Sequence, residues 1–398
     1  MAAPIVDWID PDQLEADPYP IYRRLREEYP VAYIPFMGSY VVSRFDDCRF
    51  VETNPELFAS DSGGSALGTM RRTMGRATML DTDDPQHSLE RGPVNPGLRP
   101  KAVKEQWTEA FEANTRYYLD RLADAGPEQA ELNSIVASPL TTKNLMDFLG
   151  IRGVEVEKVR DWSRTIMDGL CNVTDDAEVW HAVDEVRGEV DALLAELIPY
   201  LRKNPDNTFT SALVSAGRPD EAIQANVRLA LSGGINEPQH AITSSVWSLS
   251  EHPEQREDLL ANPQLWPDAF EEVLRWVSPL SNIPRRARQD VEIAGFTIPE
   301  GSGTAALIAA ANRDETVFDR ADAFDIRRPK QPNLAFGAGA HQCAGIWVAR
   351  WSIGSIALPR LYERFAGLRN AEDRDAHWSG FVARGLTEHP VTWDLDRG

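Results

Sequence analysis

The chain has 398 residues, of which 42% are hydrophobic and 26% charged, a composition that predicts a folded protein with a large core. Its formal net charge of −21 argues against a nucleic-acid partner, because phosphates attract basic surfaces. The three cysteines, Cys48, Cys171 and Cys343, are odd in number and far apart, which argues against a disulfide framework, a zinc cluster and a four-thiolate iron–sulfur cluster.

The N-terminal segment is acidic and interrupted by prolines, so it predicts neither a signal peptide nor a membrane anchor. No stretch approaches the roughly 18 apolar residues that span a bilayer. The sequence contains no fixed-period repeat, and no Ser/Gly-rich or charged linker divides it. We therefore expect one body over residues 1–398, located in the cytoplasm and without membrane contacts.

Taken in chain order, the pattern of apolar residues is mostly helical. A short strand is predicted at Tyr40–Val42, and a later strand region has Ile293 and Ile298 on either side of a glycine turn. Because helices and strands do not alternate, we expect a mainly α fold with small β-sheets and not a doubly wound sheet. The predicted helices cover residues 20–28, 103–124, 139–149, 155–170, 176–202, 221–252 and 255–277.

The helix predicted at 221–252 contains the stretch GGINEPQH, whose glycines and proline weaken a helix. One face has almost no side-chain bulk, which predicts either close packing against another helix or room for a flat ligand. Pro238 has no N–H for the carbonyl of Gly234, so we expect the helix to bend there and to leave a small polar notch. The residues of this face are Ala230, Gly233, Gly234, Glu237 and Ala241.

Late in the chain, the pattern F-G-x-G-x-H-x-C-x-G precedes a helical segment. Glycines let such a loop approach a flat partner, and the N-terminus of the next helix favours the thiolate form of Cys343. A lone thiolate suits a metal whose other positions are already filled, as in haem iron. Two alternatives are a dinucleotide-binding loop, disfavoured by Gln342 and the lack of a βαβ unit, and a buried structural cysteine.

With this motif the chain resembles the soluble bacterial cytochromes P450, and the resemblance extends over most of the sequence. It implies the cytochrome P450 fold, a haem b (iron protoporphyrin IX) and Cys343 as the axial ligand of the iron. Further cofactor-binding residues implied by the motif are Phe336, Gly337, His341 and Gly345.

Three other segments match landmarks of the family. Glu272 and Arg275 resemble its ExxR pair, which supports the cysteine loop, and residues 322–329 resemble the meander. Taken alone, such a pair is typical of a solvated helix surface. The resemblance also implies that four residues bind the haem propionates, with Arg286 as the alternative to Arg285 in a shifted register. These residues are His87, Arg91, Arg285 and His341.

In the central helix the family usually has an acid followed by an alcohol, which supply protons during oxygen activation. Here Asn236 takes the position of the acid and Glu237 that of the alcohol. We hypothesise that Glu237 is the distal acid or base, next to the freed carbonyl of Gly234, and that hydrogen peroxide drives turnover readily. The alternative is a structural Glu237 that forms a salt bridge with a neighbouring helix.

The Glu-Pro pair, the cysteine loop and the terminal HPVTW are similar to those of guaiacol- and syringol-type aryl O-demethylases. This resemblance implies a small methoxylated aromatic substrate and a role in aromatic compound catabolism. Met74, Leu170 and Ala383 stand where guaiacol demethylases tend to have phenylalanines, and residues 60–70 are expected to be a flexible gate. The predicted pocket residues are Met74, Met79, Leu170, Ile235, Ile283, Phe381, Val382 and Ala383.

The leading hypothesis is therefore a haem-thiolate monooxygenase that performs O-demethylation and receives electrons from a separate ferredoxin- or flavodoxin-type donor and its reductase. Alternatives are a peroxygenase, a P450 hydroxylase of another small apolar substrate, and a haem sensor or carrier. A basic segment, together with Arg350, is either a docking face for the donor or a solvated surface. Its residues are Arg71, Arg72, Arg76, Arg91, Arg99, Lys101 and Lys104.

Overall fold

A computed structural model describes residues 1–395 of the chain. As predicted, the fold is mainly helical. The helices are α1 Pro11–Ala16, α2 Tyr19–Glu28, α3 Phe45–Thr53, α4 Gly64–Met74, α5 Gln86–Arg91, α6 Pro100–Ala125, α7 Ser138–Leu149, α8 Val156–Cys171, α9 Ala177–Lys203, α10 Phe209–Ser215, α11 Asp220–Gly233, α12 Asn236–Glu251, α13 Pro253–Ala261, α14 Trp266–Val277, α15 Ile308–Ala311, α16 Ile346–Ala349 and α17 Leu358–Arg364.

Short strands form one larger sheet and several two-stranded ones. The larger sheet has the order β1-β2-β7-β4-β3, in which the β2–β7 pair is parallel and the other pairs are antiparallel. This mixed sheet is not doubly wound, in agreement with the sequence. The strands are β1 Val31–Ile34, β2 Ser39–Val42, β3 Phe58–Ala59, β4 Ile283–Ala287, β5 Val291–Ile293, β6 Phe296–Ile298, β7 Gly303–Ala306, β8 Arg369–Asn370, β9 His377–Ser379, β10 Gly385–Glu388 and β11 Val391–Thr392.

Two large hydrophobic clusters hold the helices together. One packs α6, α12, α14 and α17 against each other, and the other packs α8, α9, α10 and α11 around the start of α6. The central helices α11 and α12 therefore run from one cluster into the other. Within residues 1–395, no helix combines the length and the apolar character needed to cross a membrane.

The prediction of one unbroken helix over 221–252 is wrong. Helix α11 ends at Gly233, Gly234 and Ile235 leave the helical conformation, and α12 begins at Asn236. Pro238 lies in the first turn of α12, where a missing N–H removes no hydrogen bond, so the proline starts a new helix instead of bending an old one.

The two glycines of the break have different reasons to be glycine. A Cβ on Gly234 would lie 2.7 Å from the Ala230 carbonyl oxygen and 2.7 Å from Leu145 Cδ1 of α7. A Cβ on Gly233 would meet nothing within 4 Å. Gly234 thus allows close packing against α7, whereas Gly233 borders open space, and room for a flat ligand stays a prediction.

One further prediction needs correction. The helix predicted at 255–277 is divided into α13 and α14 by a 3₁₀ turn at Pro263–Leu265, because prolines start each new segment. Residues 60–70, the expected flexible gate, include the first part of α4, which begins at Gly64, and their gating role stays a prediction.

Candidate active site

The cysteine loop, residues 334–345, is pressed against α3. Gly337 and Gly339 have left-handed backbones, with φ of 65° and 71°. A Cβ on Gly337 would lie 2.8 Å from Glu52 Oε2, and one on Gly339 would lie 2.6 Å from the Glu52 carbonyl oxygen. The loop closes through a 2.9 Å bond from the Cys343 N–H to the Phe336 carbonyl. Glycine is therefore required here by both backbone conformation and close approach.

The side chain of Cys343 is both accessible and desolvated. Desolvation by the surrounding protein raises the pKa of the thiol. The N–H groups of Gly345 and Ile346 and the charge of Arg91 favour the thiolate, as predicted from the helix that follows, but desolvation outweighs them. A metal ion would overcome this effect, because a coordinating thiol is deprotonated.

Four residues from three parts of the chain gather near this loop. The rings of His87 (α5) and His341 (loop) lie 4.2 Å apart, and His341 Nε2 lies 2.7 Å from Ser60 Oγ. Arg91 donates to the Gln342 carbonyl at 3.0 Å. Arg285, on β4, is buried and close enough to lower the pKa of His341. The structure thus brings the four predicted propionate ligands together.

Arg286 is excluded from this cluster, because its side chain forms an ion pair with Asp61 at 2.7 Å. Of the two registers considered, the structure therefore favours Arg285.

The electrostatics of the cluster suit anionic partners. Burial and the charges of His87 and Arg285 lower the pKa of His341 to about 4, and desolvation also lowers the pKa of Arg91 and of Arg285. His87 Nε2 is buried and has no hydrogen-bond partner within the described chain. Carboxylates placed among these groups would supply the missing acceptors and offset the repulsion.

Glu272 and Arg275 on α14 form a buried bidentate pair, with two bonds of 2.8 Å, and not a solvated one. Arg275 also donates to the Asn312 carbonyl at 2.8 Å, and the side chain of Asn312 accepts the Leu334 N–H at 2.7 Å. Arg328, from the predicted meander, adds bonds of 3.1 Å to Glu272. The pair is thereby connected to the start of the cysteine loop.

On α12, one oxygen of the Glu237 carboxyl is left without a partner. Its Oε2 is buried and accepts no hydrogen bond, and the carboxyl bonds only to the N–H of Glu237 itself. Glu237 forms no ion pair with any residue in 1–395. Burial raises the pKa of Glu237 to about 7, and the carboxyl is close enough to Cys343 to raise the pKa of that thiol. The alternative of a salt bridge to a neighbouring helix is not what the structure contains.

Asn236 has a different environment. Its amide donates to Ser163 Oγ of α8 at 3.3 Å and to the Ser232 carbonyl at 3.1 Å. The side chain therefore joins α12 to α8 and α11 across the break.

The predicted pocket residues lie in two groups. Met74, Met79 and Ile235 are buried in one hydrophobic cluster, with Leu170 packed against it. The other four lie in or beside β4 and the residues that precede it. Ile283 is the first residue of β4, Ala383 forms a β-bridge with Leu280, and the Val382 carbonyl accepts the Ser281 N–H at 2.8 Å. Phe381 packs against a hydrophobic cluster formed mainly by residues 6–41 and 305–310. Val382 is 44% exposed. Their contact with a substrate stays a prediction.

Sequence reasoning missed Glu52 and Asn312, whose bonds to the cysteine loop join segments far apart in the chain. Neither residue lies in a motif, and no local pattern signals a buried carboxyl at position 52.

Comparisons with known proteins agree with this geometry. A family model described as cytochrome P450 matches residues 248–366. Nocardicin C N-oxygenase of Nocardia uniformis subsp. tsuyamanensis is 31% identical, covering 96% of this chain and 97% of that protein. Mycinamicin IV hydroxylase/epoxidase of Micromonospora griseorubida is 30% identical over 94% of each protein. A solved structure of P450BioI with hexadec-9Z-enoic acid ligated acyl carrier protein has a TM-score of 0.87 at 25% identity, covering 96% of this chain and 100% of that one.

The chain therefore belongs to the cytochrome P450 family. It has the P450 fold and is a monooxygenase, which sets the sensor or carrier alternative aside.

Membership of the family implies a haem-iron cofactor, and the residues present fit one. The thiol of Cys343 is accessible, and near its loop lie two arginines and two histidines, of which His87 has an unpartnered nitrogen within the described chain.

Proposed function

We propose that this protein is a haem b monooxygenase in which Glu237 handles protons on the distal side of the cofactor. The observation that carries the proposal is the buried, unpartnered Oε2 of Glu237, whose carboxyl lies within electrostatic reach of the Cys343 thiol. Cys343 would ligate the iron, with Phe336, Gly337 and Gly345 shaping the loop around it. His87, Arg91, Arg285 and His341 would hold the propionates. The bound haem supplies the activation of oxygen for insertion into a substrate C–H bond.

The environment of Glu237 suits proton transfer. With a pKa of about 7, both protonation states are populated near neutral pH, as efficient general acid–base catalysis requires. Gly234 lies in the break between α11 and α12, so its carbonyl has no intrahelical donor and is available to accept a bond from water. Asn236, bonded to Ser163 and Ser232, holds the start of α12 in place and so positions Glu237.

For the substrate, we propose a small methoxylated arene that undergoes oxidative O-demethylation. Oxygen insertion into the methyl C–H bond gives a hemiacetal, which collapses to a phenol and formaldehyde. The apolar character of Met74, Met79, Leu170, Ile235 and Ile283 supports a small hydrophobic substrate. The relatives named above act on chemically unrelated molecules and do not indicate a substrate for this chain.

A second candidate is direct use of hydrogen peroxide, which brings both the oxygen atom and the oxidising equivalents. Glu237 favours it, because an ionised carboxylate in the notch can accept a proton from hydrogen peroxide, whereas an alcohol is a much weaker base.

We further propose a separate ferredoxin- or flavodoxin-type electron donor with its reductase. The structure divides the basic segment in two. Arg71 pairs with Asp81, and Arg72 pairs with Asp175, both beside α4. A second, exposed group lies at the start of α6. Helix α6 packs against residues 350–357, which follow the cysteine loop and α16. We propose that this second group receives the donor together with Arg350, whose guanidinium also bonds to Glu271. Its members are Arg99, Lys101 and Lys104.

The substrate proposal is tested with a panel of methoxyarenes and their ethyl and hydroxyl analogues. We expect a low-to-high-spin shift on binding and formaldehyde release with at least one methoxyarene, in amounts equal to the phenol formed. Absence of a spin shift across the panel, in a preparation that shows the red-shifted CO-bound band of a thiolate-ligated haem, rejects the substrate class and leaves the monooxygenase assignment intact.

A further inference from the structure

Glu52, near the C-terminus of α3, reaches directly into the cysteine loop. Its side chain is 5% exposed, and its Oε2 accepts the N–H of Ala338 at 2.7 Å. A Cβ on Gly337 would lie 2.8 Å from Glu52 Oε2, and a Cβ on Gly339 would lie 2.6 Å from the backbone carbonyl oxygen of Glu52. A buried carboxyl is costly to maintain, so its placement against Gly337 and Ala338 requires a reason.

This contact is independent of the one made by the Glu272–Arg275 pair. Arg275 reaches the loop at its start, through Asn312 and the Leu334 N–H. Glu52 acts later in the loop, at residues 337–339, and from a different helix. The loop that carries Cys343 is thus held at two points by two buried carboxylates.

The second oxygen of Glu52, Oε1, is buried and accepts no bond within residues 1–395. The charge of Arg285 on β4 acts on this carboxyl and lowers its pKa. The carboxyl in turn raises the pKa of Cys48, one turn earlier on α3. Burial raises the pKa of Glu52 to about 7, against the Ala338 N–H and the charge of Arg285, which lower it. Because Arg285 belongs to the proposed propionate cluster, the charge of Glu52 also acts on the cofactor site.

We propose that Glu52 is a positioning residue of the haem-thiolate site, which fixes the middle of the cysteine loop through Ala338 and sets the charge around Arg285. The proposal rests on the proposed role of Cys343 as the axial ligand. It assigns to Glu52 two separable effects: the hydrogen bond maintains thiolate ligation, and the negative charge lowers the reduction potential of the iron.

Two variants of the haem-loaded protein separate these effects. Glu52→Gln keeps an oxygen acceptor for the Ala338 N–H and removes the charge, whereas Glu52→Leu keeps the volume and removes both. Glu56→Gln, one turn along the chain at an exposed position, is the matched control. The measurements are the rate at which the CO-bound, thiolate-type band is lost and the reduction potential at about pH 8, where a carboxyl with a pKa of about 7 is mostly ionised.

We expect Glu52→Leu to lose the thiolate-type band roughly tenfold faster than the wild type, as the loss of one charge-assisted hydrogen bond implies. Glu52→Gln should keep the wild-type rate and shift the potential upward, and Glu56→Gln should change neither. A Glu52→Leu protein that melts earlier but keeps the wild-type band and potential would show a purely structural role and overturn the proposal, as would a Glu52→Gln potential equal to that of Glu56→Gln. If the wild type itself lacks the thiolate-type band, the assignment of Cys343 fails instead.

Discussion

The cysteine loop and the helix break at 233–238 contrast in what their buried carboxyls bond to. In the loop, the N–H groups of Leu334, Ala338 and Cys343 each have an acceptor. Both oxygens of Glu272 are bonded, and Glu52 accepts the Ala338 N–H through Oε2, although its Oε1 has no partner within residues 1–395. At the break, Glu237 Oε2 is buried without a partner, and the carboxyl bonds only to the N–H of Glu237 itself. The comparison indicates that the loop is built for a fixed geometry, whereas the break holds a group whose proton can move.

The largest expected effect is on the loop side. Cys343→Ser removes the thiolate, so the red-shifted CO-bound band should disappear and turnover should fall to background. Cys171→Ser, at the exposed end of α8, is the control and should behave as the wild type. Retention of the band in Cys343→Ser would contradict the ligand assignment.

Arg275→Ala tests whether the loop depends on its buried network. The change leaves Glu272 buried without its bidentate partner, and we expect a loss of about 3–5 kcal/mol in the free energy of unfolding. Arg320→Ala removes an exposed pair with Asp325 and should cost less than about 1 kcal/mol. Denaturant unfolding of both variants measures the difference, and equal losses would show that the buried pair has no special role.

The pH dependence of stability tests the buried carboxyl at the break. Because the folded protein holds the proton of Glu237 up to a pKa of about 7, whereas an ordinary carboxyl releases it near 4.5, the wild type should lose stability as pH rises between these values. The loss should approach about 3 kcal/mol relative to Glu237→Gln. Thermal unfolding from about pH 4 to pH 8 measures it, and parallel curves for the two proteins would mean that Glu237 is not desolvated.

The two glycines of the break provide the smallest effect and an internal control. Gly234→Ala places a methyl group 2.7 Å from Leu145 and from the Ala230 carbonyl, and should cost about 1–3 kcal/mol. Gly233→Ala meets no atom and should be neutral or stabilise the protein by up to about 1 kcal/mol. Reversed signs in unfolding measurements would show that the packing of α7 against the break differs from that described.

The sequence predicted the helical class of the fold and the loop motif because both depend on local pattern. It also paired Glu272 with Arg275, since three residues separate them on one helix. It predicted one helix over 221–252, although Gly233, Gly234 and Pro238 marked a weak point, because local pattern does not show the contact of Gly234 with Leu145 of α7. Nor did it reveal Glu52, whose partner Ala338 lies 286 residues further along. Local pattern does not show such contacts between distant segments.

The split of the basic segment has the same origin. Arg71 and Lys104 are close in sequence, but α4 packs against α8 whereas α6 packs against residues 350–357. The basic residues that are close together in the sequence therefore lie on two separate parts of the surface.

The central claim, that Glu237 handles protons at the active site, is tested most directly by Glu237→Gln in the haem-loaded protein, with Glu221→Gln at an exposed site of α11 as control. Product formation is measured once with the electron donor and once with hydrogen peroxide, in preparations with equal thiolate-type CO-bound bands. We predict that Glu237→Gln lowers both rates by about a hundredfold or more, in the range of general acid–base catalysis, while Glu221→Gln lowers neither. Wild-type rates from both oxidants in Glu237→Gln would contradict the account.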